Sequence, residues 1–101
     1  IPIAADGDRE REVAMRLVDE TGLDAVHSGP LSESWRQQPG APSYCTDLTR
    51  EELPNALAAT DRSRLPKRRD LAIEAIGERV GDSTTNPGSD YAVRLTRVLF
   101  M

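Results

Sequence analysis

The fold is decided by residues 1–31, which read IPIAADGDREREVAMRLVDETGLDAVHSGPL. The opening apolar run, residues 1–5, is followed by an Asp-Gly-Asp turn signal and predicts a buried strand. A second short strand is predicted over residues 23–28, before Gly29 and Pro30. The order strand, helix, strand over so short a stretch is typical of a parallel crossover.

A helix is predicted between the two strands, from Asp8 to Thr21. Apolar residues recur there at helical spacing: Val13, Ala14, Leu17 and Val18. Asp8 is expected to cap the first turn, and Gly22 is expected to end the helix in a left-handed conformation. Two neighbouring strands would leave open edges, so we expect this unit to extend a sheet whose other strands lie elsewhere.

Length and composition restrict the class of protein. The chain has 101 residues, of which 38% are hydrophobic, so it forms one small domain at most. Its formal charge of −4 argues against a nucleic-acid partner. No apolar run is long enough to span a bilayer, and the single Cys45 suits a reducing compartment, so no membrane partner and a cytoplasmic location are expected.

The rest of the chain, residues 32–101, is predicted to be a substrate-side loop followed by a small helical segment. Its expected elements are a helical turn over 32–38, a helix over about 50–61 with Thr49 and Glu52 as a capping box and Pro54 near its start, a helix from Leu65 to Gly81, a turn over 82–89, and a final helix capped by Asp90. The predicted fold class is therefore α/β: the terminal strand-helix-strand crossover of a Rossmann-like sheet over 1–31, then a helical appendage.

Few residues have the chemistry of a catalytic group. His27 and Ser28 are adjacent on a strand and point to opposite faces, so an ordinary histidine is favoured over a general base. Cys45 has no second thiol and is favoured as a spectator. One His, one Cys and scattered carboxylates give no recognised metal-ligand spacing.

Two segments have both a functional and a structural interpretation. The run 61–70 holds five basic residues and fits either a solvated face, which we favour, or a clamp for a phosphate or an acidic partner. The loop over 34–44 combines an aromatic ring, donors and a bend made rigid by Gly and Pro, as in sites for flat polar ligands. The alternative is that Trp35 fills the core while its polar neighbours face water. The candidate substrate-binding residues are Trp35, Arg36, Gln37, Gln38 and Tyr44.

Several motifs resemble those of one family. They are residues 2–8 (PIAADGD), 15–22 (MRLVDETG), 24–31 (DAVHSGPL), 34–40 (SWRQQPG) and 44–48 (YCTDL), with looser matches at 69–71, 85–86 and 93–97. Together they resemble the carboxyl-terminal part of NADP-dependent reductases related to the deazaflavin (coenzyme F-420) dependent NADP oxidoreductases, in a branch called predicted dinucleotide-binding enzymes.

The resemblance implies the tail of an enzyme that binds NADP and passes hydride between the nicotinamide and a flat acceptor such as a deazaflavin or flavin. The chain has no Gly-x-Gly-x-x-Gly, so this fragment alone is expected to bind no NADP and to be inactive. The expected partners are the acceptor in the intact enzyme and either a second copy or a missing amino-terminal half. The alternative function is a free-standing acidic helical module for protein-protein interaction.

Overall fold

The computed structural model of the chain describes residues 1–81 and 89–101. These residues form a mixed α/β structure that is mostly helical. The elements in chain order are β1 (Pro2–Ala4), α1 (Asp8–Glu20), β2 (Val26–Gly29), a 3-10 helix (Leu31–Gln37), α2 (Leu53–Ala58), a 3-10 turn (Arg62–Arg64), α3 (Leu65–Val80) and α4 (Ser89–Phe100).

β1 and β2 pair in parallel and, within the described ranges, form a sheet of two strands. The backbone N–H of Val26 donates to Ile1 O at 3.0 Å, and that of Ala5 donates to Gly29 O at 3.0 Å. The predicted parallel pair joined by a helix is confirmed, whereas a Rossmann-like sheet is not, because only two strands are present in this part of the chain. β2 starts three residues later than predicted, since three-residue β1 offers it so short a pairing edge.

α1 matches its predicted extent to within one residue, but its amino-terminal cap differs. Gly7 occupies the N-cap position and no side chain caps the helix, so the prediction of Asp8 as the cap is wrong. The Asp8 carboxylate instead accepts a hydrogen bond from Arg11 Nη2 at 2.9 Å within the first turn. Gly22 has the expected positive φ of 86°, which a residue without Cβ adopts at low cost.

The core lies mainly in the second half of the chain. Its buried apolar residues are Ala25, Ala41, Leu53, Ala56, Leu57, Leu65, Ala72 and Phe100. Phe100 is 1% exposed and packs against Tyr44, with the ring centroids 6.5 Å apart. The Thr96 hydroxyl donates to Cys45 O at 2.9 Å, which ties α4 to the same loop. α4 is therefore held against the loop that precedes α2.

The helices of the second half follow the sequence closely except for α2 and for the cap of α4. The prediction of Asp90 as that cap is wrong, because α4 already begins at Ser89 and Asp90 lies within its first turn. The predicted capping box forms, since Thr49 N–H donates to a Glu52 carboxylate oxygen at 2.9 Å and Glu52 N–H donates to the Thr49 hydroxyl at 3.3 Å. The predicted helix over 50–61 is too long, because Pro54 in its first turn has no N–H and regular structure begins only at Leu53. α3 spans Leu65–Val80 as predicted, and Gly81 follows it.

The turn predicted over 82–89 lies, up to residue 88, outside the described residues. Among the helices that are described, none combines the length and the apolar character needed to cross a membrane.

Candidate functional site

A cleft of about 330 Å³ runs beside β2 and is bounded on its other side by α2. We call it the β2–α2 cleft. It is lined by Val26, His27, Ser28, Arg36, Pro54, Leu57 and Ala58. The 3-10 helix that follows β2 directs Arg36 into it. A mostly apolar lining with a few polar groups is the usual character of small-molecule sites.

Two cationic or titratable side chains face this cleft. His27 is exposed on β2, at the middle of the strand. Arg36 is half-buried and fixed on two sides, because its Nε donates to a Glu33 carboxylate oxygen at 3.2 Å and its Nη1 donates to Leu57 O at 3.3 Å. The cleft is therefore lined by a guanidinium whose direction is fixed, by an imidazole and by the apolar side chains of α2.

Two arginine side chains lie over the ring of Trp35. The Arg36 guanidinium carbon is 4.3 Å from the centroid of the indole ring, and that of Arg62 is 5.3 Å from it. Both distances allow cation–π attraction. Trp35 is half-buried, so it does not fill the core, and it is not among the residues that line the β2–α2 cleft. Its expected role in binding an acceptor stays a prediction.

Gln37 connects the two strands. The Ser28 hydroxyl donates to Gln37 Oε1 at 2.6 Å, and Gln37 Nε2 donates to Pro2 O at 3.4 Å. The Ser28 hydroxyl is thus directed to an amide and not to His27. The amide group of Gln37 is engaged within the fold, which makes it a positioning group for the 3-10 helix.

The remaining two predicted site residues lie apart from the cleft. Gln38 is exposed, and its backbone N–H donates to Trp35 O at 3.3 Å. Tyr44 packs on Phe100 next to α4. Of the five predicted site residues, Arg36 lines the β2–α2 cleft and the other four do not, Tyr44 lying farthest along the chain, beside Phe100. That these residues bind a substrate stays a prediction.

Sequence reasoning missed the side of the cleft made by α2. Pro54, Leu57 and Ala58 follow one another at helical spacing, which places them on one helix face. That signal was present in the sequence, but it does not say which element the face meets. His27 was predicted to be an ordinary strand histidine in preference to a general base, and the structure places it in the lining of the cleft.

A second cleft, of about 480 Å³, lies at the carboxyl ends of the strands. It is lined by Ala4, Ala5, Asp6, Gly7, Glu10, Ala14 and Leu31. The Asp6 carboxylate accepts the Leu31 backbone N–H at 2.9 Å. Carboxylates in this place repel phosphate, so the cleft does not fit the pyrophosphate of a dinucleotide.

Two exposed carboxyl groups have lowered pKa values, and neither lines the β2–α2 cleft. A hydrogen bond from the Arg97 side chain is the main cause of the lowered pKa of Asp47. The Ser63 side chain lowers the pKa of Asp61 in the same way, and the charges of Arg64 and Arg68 add to the effect.

Comparison with known proteins gives one informative relative. The Escherichia coli (strain K12) protein named "Putative protein YjhV" is 43% identical over 70 residues, in a match that covers 65% of this chain and 51% of that protein. The chain thus spans about half the length of the curated relative it matches. No family model and no solved structure matches the chain.

These comparisons correct one expectation from the sequence. The resemblance to deazaflavin-dependent NADP oxidoreductases is wrong, because no model of such a family matches and the printed name of the relative contains no dinucleotide-dependent activity.

Proposed function

We propose that the chain is a sheet-extending unit of a larger α/β assembly, in which polypeptide from outside the described residues pairs with the open edge of β1 and covers α1. The observation that carries this proposal is that α1 has an apolar stripe and yet buries no residue. The assembly would be either a Rossmann-like sheet in a longer protein or a pair of identical chains.

The incomplete burial of α1 follows from the width of the sheet. Ala14, Met15 and Val18 are half-buried, whereas Val13 is 40% and Leu17 is 57% exposed. Two strands are too narrow to cover the whole apolar stripe of a helix, and a further strand would extend the sheet under the uncovered part. Full burial of one such side chain stabilises an assembly by roughly 1.5–3 kcal/mol, so this face favours association.

The edge of β1 is the open one. Ile1 O and Ala5 N–H are bonded to β2, and in a parallel pair the backbone groups of alternate residues face opposite edges. The N–H and C=O of Ala4 therefore face away from β2. The outer side of β2 is flanked by α2 across the cleft. Pro2 also faces this edge, but it has no N–H and its O accepts from Gln37 Nε2 at 3.4 Å, which leaves Ala4 as the residue of β1 that offers both backbone groups to a new strand.

The test is the association of the purified protein by sedimentation velocity over a range of concentrations. We expect concentration-dependent association that Ala4→Pro abolishes, because proline removes the donor and is tolerated on an edge strand. Ala4→Val, which keeps the N–H, is the matched control and should associate like the parent. Equal association of the two variants would refute edge pairing at β1.

The alternative proposal is the free-standing acidic interaction module, and the same experiment separates the two. A self-sufficient module should be a monomer at every concentration and should unfold in one cooperative transition. That result would refute edge pairing at β1 and would make the helices of the second half the candidate surface for binding another protein.

Hydride transfer between a nicotinamide and a flat acceptor is a second proposal, for the longer protein. The observation in its favour is the β2–α2 cleft, which has room for part of a planar ring system and carries the donors Arg36 and His27. NADP itself does not fit the described residues, because the cleft at the strand ends is acidic and no Gly-rich turn is present in the sequence. This chain would contribute only to the acceptor side, holding the ring and excluding water.

Riboflavin tests the acceptor proposal, because it has the ring system without a phosphate group. Trp35 is the only tryptophan, so binding can be followed by the change in its fluorescence. We expect Arg36→Gln to weaken binding and Arg62→Gln to leave it unchanged, since both arginines lie by Trp35 but only Arg36 lines the cleft. Equal affinities of these two variants, or no binding by the parent, would exclude the β2–α2 cleft as the acceptor site.

We also propose a cytoplasmic location. The single cysteine, Cys45, is a free thiol, which is typical of proteins in a reducing compartment.

A further inference from the structure

We propose that the surface between α3 and the end of α4 binds a small organic phosphomonoester with a short apolar body. The site is a cleft of about 380 Å³ lined by Ser63, Arg64, Lys67, Arg68, Leu71 and Leu99. We call it the α3–α4 cleft. It is separate from the sheet edge and from the β2–α2 cleft, so this inference does not depend on either function proposed above.

The lining of this cleft is ordered along one helix face. Arg64, Lys67, Arg68 and Leu71 follow one another at spacings of three, one and three residues, which puts them on the same side of α3. The charged residues lie at the amino-terminal end of this face, and Leu71 lies one turn further along. Leu99 adds an apolar contact from α4. A ligand with an anionic head and an apolar body matches that order.

The positive charge of the cleft is largely uncompensated by the described residues. Of the five basic residues of the run 61–70, Arg69 is paired with Asp70 at 3.0 Å and Arg62 lies over Trp35. Arg64 and Lys67 form no ion pair within residues 1–81 and 89–101. The charges of Arg64 and Arg68 help to lower the pKa of Asp61, but its carboxylate forms no ion pair with them among the described residues and accepts from the Ser63 hydroxyl at 2.6 Å.

Arg68, which lines the α3–α4 cleft, has one guanidinium nitrogen that is fixed by a hydrogen bond and one that has no partner among the described residues. Its Nη1 donates to Phe100 O at 3.0 Å, which fixes the direction of the guanidinium. Its Nε is buried and has no hydrogen-bond partner among the described residues. A buried N–H without a partner is unfavourable, so a small turn of the Arg68 side chain toward an anion in the cleft would regain the lost hydrogen bond. Because guanidinium donors match phosphate oxygens in a fork geometry, phosphate is favoured over a single carboxylate.

The size and shape of the cleft favour a small molecule over a polyanion. Nucleic acids are bound by many contacts to successive phosphates, whereas this cleft presents three cations beside apolar side chains on a chain of net charge −4. The apolar side chains of the cleft, Leu71 and Leu99, would have no contact to make with a phosphate backbone. A phosphomonoester carries close to two negative charges at neutral pH, which the three cations can balance.

The experiment titrates the purified protein with phenyl phosphate and follows binding by calorimetry and by the Arg Nε–H resonances in NMR. We expect phenyl phosphate to bind more tightly than inorganic phosphate, phenol to show no binding, and the Arg68 Nε–H signal to shift. Lys67→Gln should weaken binding by roughly tenfold or more, the effect of losing one hydrogen bond to a charged group.

The matched control is Arg69→Gln, which removes the same charge from the next residue but one, outside the cleft, and should leave the affinity unchanged. Lys67 is exposed, so its variant tests the site without loss of the fold. Arg68→Gln lacks this Nε–H and so identifies its resonance, and, checked for folding by its melting curve, this variant should also bind phenyl phosphate less tightly than the parent. Equal losses in Lys67→Gln and Arg69→Gln would show a general charge effect and overturn the proposal.

Two further arms identify other sources of the same charge pattern. Binding to phosphatidic acid vesicles or to a DNA oligonucleotide without any binding of phenyl phosphate would overturn the proposal in favour of a membrane or nucleic-acid surface. Binding of inorganic phosphate as tight as that of phenyl phosphate would remove the role of Leu71 and Leu99.

Discussion

Replacing Phe100 with alanine is expected to destabilise the protein more than its position, second from the end of the chain, suggests. The ring is 1% exposed and is the largest fully buried side chain among the described residues. It packs against Tyr44, and the backbone oxygen of the same residue accepts a hydrogen bond from Arg68. The side chain thus joins α4 to the loop before α2, while the backbone oxygen joins α4 to α3.

The magnitude follows from burial. Removing a fully buried Phe side chain costs about 3–5 kcal/mol, because apolar contacts are lost and a cavity remains. In a domain of this size each 1 kcal/mol lowers the melting temperature by about 4–8 °C, so Tm should fall by at least about 12 °C. The whole stability of a small domain is only about 5–15 kcal/mol, and the variant should therefore lie close to unfolding at growth temperature.

The assay is thermal unfolding followed by circular dichroism, with urea unfolding as a second measurement. Val98→Ala is the matched control, since Val98 lies on the same helix and is 82% exposed. Its free energy of unfolding should change by less than about 0.5 kcal/mol. If Phe100→Ala melts within a few degrees of Val98→Ala, α4 does not pack on the core as described. The α3–α4 cleft, which depends on that packing, would then not exist in this form.

Three further predictions concern a glycine, an ion pair and the face of α1. Gly40→Ala should lower Tm well beyond Gly22→Ala. Both glycines have positive φ, at a cost of roughly 1–2 kcal/mol for alanine, but a Cβ at Gly40 would lie 2.7 Å from Leu65 O, whereas one at Gly22 meets nothing within 4 Å. Equal melting temperatures of the two variants would exclude the close approach at Gly40. Arg97 holds the pKa of Asp47 below its ordinary value of 3.8. The stabilisation by this pair is therefore present above that value and is lost as the pH falls through the folded pKa. Between about pH 5 and about pH 2.5 the Tm of Asp47→Asn should decline less steeply than that of the parent, and parallel curves would contradict this. Leu17→Glu should weaken self-association while changing the free energy of unfolding by under about 0.5 kcal/mol. Val98→Glu, at an apolar position that is 82% exposed against 57% for Leu17, should leave association intact, and a matching loss in both would point to general charge repulsion.

Part of the fold could be predicted because its signals are local. Pro66 in the first turn of α3 and Gly81 just after its last residue bracket a helix regardless of what surrounds it. The capping box of Thr49 and Glu52 likewise involves residues three apart, and it forms. The cap of α1 was mispredicted because Asp8 had a second local partner, Arg11, at helical spacing.

The candidate site was predictable only in part. The sequence indicated that Trp35 and Arg36 lie in a structured turn, and both do. It did not indicate that Arg62, more than 20 residues further on, would lie over the same indole ring, or that Tyr44 would turn away toward Phe100. These choices are made between residues far apart in the chain, where periodicity carries no information.

By itself the sequence determined the order of the elements, the parallel pairing expected of β1 and β2, and the apolar stripe of α1, because turn residues and hydrophobic spacing act over a few residues. Only the tertiary structure decided that α2 lies beside β2 and that α1 is only half-covered. It also decided that Arg68 is bonded to the end of α4 and has a buried Nε–H without a partner among the described residues. The physical reason is that burial and hydrogen-bond partners depend on which distant surfaces meet, and this is fixed by packing of the whole chain.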